Sequence, residues 1–193
     1  MNNIRFEERW KALLAQHEDE NERLYQILRS EDDLIAVVLR GHLVIEQLLR
    51  AAIAAHCPQP QHLSSAHLRF LQLTSLLRSL GKLPMPEGLW DSLAKLNALR
   101  NAAAHRLEQS DLSTRVTRFV NAVIDKESQG RLPGHPGSKE ALRTALAHLL
   151  GAMGMMAMFQ TALEELIRHE LRQRNERPEP PDIPQNRREG ADA

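Results

Sequence analysis

One cysteine, a 4% share of aromatic residues and a net charge of +0 mark this 193-residue sequence, and each removes a class of function. A lone Cys57 rules out an internal disulfide and leaves a loop or half-buried thiol, which suits a reducing, cytoplasmic compartment. With Lys plus Arg and Asp plus Glu both at 25, no global basic field gathers nucleic acid, so any RNA contact has to be local. No glycine-rich phosphate loop follows a strand pattern, no serine or cysteine hydrolase motif occurs, and no stretch alternates as a sheet demands. The N-terminus, charged from Arg5 onward, lacks the apolar core of a signal peptide. The apolar stretch 145–162 holds His148 and Gln160 and is weighted to Ala, Gly and Met, so it reads as a buried helix and not as a membrane span.

What is present is helical. Gly and Pro gather between long apolar-periodic runs rich in Leu, Ala, Glu and Arg, which predicts an all-α, up-and-down bundle of five to six helices over residues 1–176. A first helix over about residues 4–29 carries the stripe Phe6, Trp10, Leu13, Leu14, Leu24, Ile27 and Leu28, broken by a polar middle at 16–22. Ser30, followed by three acidic residues, is the expected cap of a second helix reaching His56, where Pro58 and Pro60 stop it. That helix is apolar nearly all round and should sit centrally, so its polar residues Arg40, His42 and Glu46 stand out. His42 and Glu46, and Glu46 and Arg50, are each four apart, as an internal ion pair or a solvent-facing edge would place them.

A third helix is expected over about 65–80 with Gly81 as a left-handed cap, a fourth over 87–107, and a shorter fifth from about Asp111 with Val116, Phe119, Val120 and Val123 inside. After a Gly/Pro loop, Ser138 caps the longest helix, 139–174, whose run of Gly, Ala and Met suits close packing in a core or subunit interface. Residues 177–193, Pro-rich and charged, read as a disordered tail whose deletion should leave stability nearly unchanged.

The stretch Leu96-Asn97-Ala98-Leu99-Arg100-Asn101-Ala102-Ala103-Ala104-His105 carries the chemistry. Ala and Leu make no polar demands, so the arginine, amides and histidine have no obvious structural purpose there. Histidine exchanges protons near neutral pH, and it can take one from a ribose 2′-hydroxyl or give one to a leaving 5′-oxygen. Arginine stays charged and grips phosphate through a planar fork. At about 100° per residue, Asn97, Asn101 and His105 share a stripe while Arg100 lies to the side of His105. One helix therefore does not focus both groups on one atom, and a cleft between two copies is expected to do so.

Arg100-Asn101-Ala-Ala-Ala-His105 resembles the R-x4-6-H signature of the HEPN superfamily, in which a polar residue commonly follows the arginine, and the helix order over about 30–167 is similar too. The resemblance implies a metal-independent endoribonuclease acting as a homodimer, of the sort found as toxins or antiviral defence effectors beside an antitoxin or defence-complex protein. Arg100 and His105 would be catalytic and Asn101 and Asn97 substrate-binding or orienting, with no cofactor or metal. HEPN-like proteins also include non-enzymatic regulatory and protein-interaction modules, among them relatives of the mannitol operon repressor, and that is the alternative expectation. A zinc site from His56, Cys57, His62 and His67 is disfavoured because no standard ligand spacing is present.

Overall fold

The computed structural model describes residues 33–63, 65–81, 85–105, 109–124 and 132–175, together with Ala15, Asp19, Glu22, Arg23, Gln26, Leu28 and Arg29, all seven helical. Within the described residues the protein is an all-α bundle without strands, as the apolar spacing predicts. The elements are α1 (Leu34–His56), a 3₁₀ turn (Pro60–His62), α2 (Phe70–Leu80), α3 (Glu87–Ala104), α4 (Gln109–Val123) and α5 (Lys139–Asn175). Most of the first predicted helix and the whole tail from 177 lie outside the described residues; of the polar middle, Asp19 and Glu22 are described.

α1 is the hub, packing on α2, α3 and α5, while α3 and α4 form the most extensive pair. Burial of Val37, Val38, Ile45, Leu49 and Ile53 explains the apolar circumference of α1, and Leu93, Leu96, Leu99, Val116, Phe119, Leu142, Leu146 and Leu149 close the core around it. Ser92 Oγ donates within the α3–α4 seam toward Gly88 O at 2.7 Å and Ala122 O at 3.1 Å, joining the pair with a buried hydroxyl. Gly41 is the point of closest approach between α1 and α5: a Cβ there would lie 2.6 Å from a Leu146 methyl. Leu28 is fully buried, and Arg143 of α5 donates to its carbonyl and to that of Arg29, each at 3.1 Å.

Three boundaries differ from the sequence expectation. The cap of α1 is Asp33, not Ser30: its carboxylate accepts from the Ala36 N–H at 3.1 Å, so the acidic run supplies the cap itself and the helix starts later. α2 starts at Phe70, not 65, because Ser65–His67 form a turn in which His67 has φ 46°, a left-handed geometry that interrupts a helix. α3 ends at Ala104, and His105 is its cap, with its N–H directed to the carbonyls of Asn101 and Ala102, both at 3.2 Å.

A further difference concerns the burial of α5. Ser138 caps it as expected, accepting from the Ala141 N–H at 3.1 Å, and residues 141–153 supply core side chains. Its second half, however, exposes Met155, Phe159, Leu163, Leu166, Ile167 and Leu171 by 39% to 55%. Met158 and Ala162 in the same half are only 7% exposed, so this half is covered on one side and open on the other. By length and composition Lys139–His169 is apolar enough to cross a membrane, a third of that window being buried in the bundle.

Candidate nucleic-acid site

The polar residues that interrupt α1 and α3 meet. A cleft of about 720 Å³ opens between α1, the start of α2 and the second half of α3, with His42 and Glu46 on one wall, Arg69 to Gln72 on another, and Asn97, Arg100 and Asn101 on the third. The volume lies within the range of small-molecule and nucleotide sites, about 300–1,000 Å³. Three of the four residues singled out on α3 therefore line one hollow. His105 does not: as the cap of α3 it is exposed at the helix end, outside the residues that form the cleft.

Arg100 is exposed, forms no ion pair among the described residues, and holds Asn101 Oδ1 at 3.3 Å through Nη1. An arginine without a carboxylate partner keeps its fork available for an anion, and Asn101 restricts its swing without cancelling its charge. Glu46, the carboxylate of the cleft, is already engaged: Arg50 donates to it through Nη2 at 2.7 Å and Nε at 3.2 Å, and Arg50 also donates to Leu68 O at 2.7 Å. The Glu46–Arg50 half of the expected α1 pairing is thus a tight ion pair, while His42 Nδ1 stands 3.9 Å from Glu46.

His42 is the residue whose part in the site sequence reasoning missed. It is 4% exposed, stacked on Phe70 with centroids 4.2 Å apart, and its Nε2 is buried with no hydrogen-bond partner. Burial holds its pKa below the ordinary imidazole value, the Arg100 charge pushes the same way, and the Asn97 amide and Glu46 carboxylate oppose them without prevailing. The imidazole is therefore neutral at pH 7, and its charge state is tied to folding. Because the folded protein resists protonating it, stability is fully present above the unfolded histidine pKa of about 6.5 and declines as pH falls below that value. Wild type should lose melting temperature between pH 7.5 and 5.5 more steeply than His42→Gln, and parallel curves would count against a buried neutral imidazole.

A smaller cavity of about 280 Å³ lies between α1 and α2, walled by Ala51, Ile53, Ala54, Leu63, Leu68 and Leu73; its one charged group, Arg50, is committed to Glu46 and Leu68. It offers no reacting group. Among the described residues, no three His, Cys, Asp or Glu side chains gather as a metal site, and His56, Cys57, His62 and His67 do not converge on one. Comparisons with protein-family models, with curated proteins and with solved structures give no significant match to this chain.

Proposed function

We propose that this chain is a metal-independent endoribonuclease of HEPN type that acts as a homodimer. The observation that carries the reading is Arg100: a cation on a helix that does not need it, lining a cleft whose one carboxylate, Glu46, is already held by Arg50, and followed by an amide that steadies it. Cleavage of an RNA phosphodiester requires three things of the protein. A base takes the proton of the 2′-hydroxyl as that oxygen attacks phosphorus, an acid delivers a proton to the 5′-oxygen as its bond to phosphorus breaks, and a cation meets the charge that grows on the phosphoryl oxygens. Arg100 supplies the cation. Two copies of His105, one from each subunit, supply base and acid, and the products are a 2′,3′-cyclic phosphate and a 5′-hydroxyl.

Pairing is part of the mechanism because His105 lies outside the cleft that Arg100 lines. A subunit alone brings one proton-transfer group and holds it away from its own arginine. A two-fold interface lets each arginine meet the partner's histidine. The purified protein should sediment as a dimer of the 21.9 kDa chain, and a monomer with full activity would remove this part of the proposal. The direct test of the function is incubation with RNA in EDTA, with the ends of the products identified. Intact RNA overturns the reading, and cleavage that EDTA abolishes overturns its metal independence.

A second reading, a protein-interaction module, is favoured by the uncovered apolar face of α5. An exposed stripe of this length on a helix is the form in which helices dock on grooves or on one another. It predicts no RNase activity to lose. A toxin or defence effector restrained by a partner protein would use both features.

A further inference from the structure

The cleft contains more cationic and polar equipment than one scissile phosphate requires. Arg69 is exposed at the N-cap of α2, lines the same cleft as Arg100, and forms no ion pair among the described residues. Only its backbone is used in capping, its N–H donating to Gln72 Oε1 at 2.8 Å. The first turn of α2 forms the wall beside it, and the N–H groups of a first turn have no carbonyl one turn back and carry a partial positive charge. Against these stands one carboxylate, Glu46, already held by Arg50 at 2.7 Å. In a chain of net charge +0 the hollow is a local cationic site. Its floor is His42, with the buried Nε2 that no protein group satisfies.

The remaining lining gives the ligand its shape. Leu71 is 49% exposed at the mouth, and Leu68 and Phe70 continue the apolar side. Asn97 and Asn101 present amides on the opposite wall. A bare anion would use the arginines and leave the apolar and amide surfaces idle. A nucleotide uses all three: phosphate on the cations, a flat face on the apolar wall, and a base edge toward amides and imidazole.

We infer that the cleft is a subsite for one nucleotide of single-stranded RNA next to the scissile bond, with its phosphate held by Arg69 and the first turn of α2 and its base facing Asn97, Asn101 and His42. The inference rests on the RNA-cleaving reading and adds Arg69 as a further binding residue. The subsite lies within one subunit, whereas the reacting groups come from two.

The test uses the full chain and separates the two proposals. Nucleoside 3′-monophosphates, which contain no cleavable linkage, are titrated into wild type, Arg69→Ala and Arg69→Lys, followed by NMR and calorimetry, with inorganic phosphate as the comparison probe. Arg69→Ala should weaken nucleotide binding on the order of tenfold, as loss of one charge-assisted contact does, and Arg69→Lys should recover part of it. In cleavage kinetics Arg69→Ala should raise KM more than it lowers kcat and reduce the salt slope of RNA binding by about one. Equal binding by wild type and Arg69→Ala, or shifts mapping away from the cleft, overturns the subsite even if RNA is cleaved. Inorganic phosphate binding as tightly as the nucleotides also overturns it. Nucleotide binding lost in Arg69→Ala by a protein that cleaves no RNA sustains the subsite and overturns the nuclease.

Discussion

Arg100→Ala and His105→Ala should each slow RNA cleavage by about 10²–10⁴-fold, the range spanned by loss of a charge-stabilising donor or of a proton-transfer group. Neither change should disturb folding. Among the described residues the Arg100 side chain is exposed and bonds only to its neighbour Asn101, while the cap at His105 is made by the backbone N–H, which alanine keeps. Surface substitutions of this kind usually move stability by no more than about 0.5 kcal/mol. Melting temperature and circular dichroism of each variant therefore isolate the chemical effect. The two changes should not multiply, since groups acting as one unit are not additive, and the double variant should retain roughly the activity of the worse single one. In a mixed dimer of Arg100→Ala and His105→Ala subunits, the shared cleft keeps one arginine and one histidine, whereas each homodimeric variant lacks one of the two groups altogether. Partial recovery of activity on mixing is expected. Wild-type rates in both single variants would leave the nuclease reading without support.

Gly41→Val should be the most damaging small substitution in the core. Gly41 is buried where α1 meets α5, and an added Cβ would come within 2.6 and 2.9 Å of the two Leu146 methyls. Those methyls are the ends of a flexible side chain, but Leu146 is 0% exposed and packed on all sides, so it has nowhere to turn. Overpacking of this kind costs about 1–3 kcal/mol, against a helix-propensity gain on leaving glycine of at most about 1 kcal/mol. Alanine at 41 is therefore close to a balance of the two, while valine, with two more carbons and a stiff β-branch, falls at the upper end, about 3 kcal/mol. For a chain of this size that corresponds to a fall of roughly 6–12 °C in Tm. Leu146→Ala costs stability alone by leaving a cavity, yet it opens the space that residue 41 then fills. The double variant should be more stable than the sum of the two losses predicts. Strict additivity in the cycle would show that the helices do not meet at these two residues.

The helical layers were legible because apolar spacing is a local signal: Val37, Val38, Val44, Ile45 and Leu49 mark a central helix, and Ser138 and Gly81 mark ends. The start of α2 was not, since Arg69 has no side-chain acceptor for a cap and the left-handed turn at His67 carries no glycine or asparagine to announce it. Asp33 and Ser30 are both cap formers three residues apart, and composition alone does not rank them. Arg100, Asn101 and Asn97 were visible as polar residues on an Ala/Leu helix. His42 was visible too, as an interruption of α1, but its place opposite Arg100 is tertiary: 58 positions separate them, and the packing of α1 on α3 brings them to one hollow. The run of Gly, Ala and Met in α5 announced close packing in a core or a subunit interface, but which of its sides stays exposed was not legible, because composition states that a helix is apolar and not where its neighbours stop.

At about 1.5 Å per residue, the 37 residues of α5 make a rod of roughly 55 Å, and α1 with its 23 residues reaches about 35 Å. Core side chains run along the α5 rod as far as Met153, and Met158 and Ala162 beyond it are also buried. The closest approach of α5 to α1 falls at Gly41 and Leu146, where residue 41 puts no side chain between the helices. His42 is the next residue along, so the floor of the cleft is tied to the tightest contact between the two longest helices.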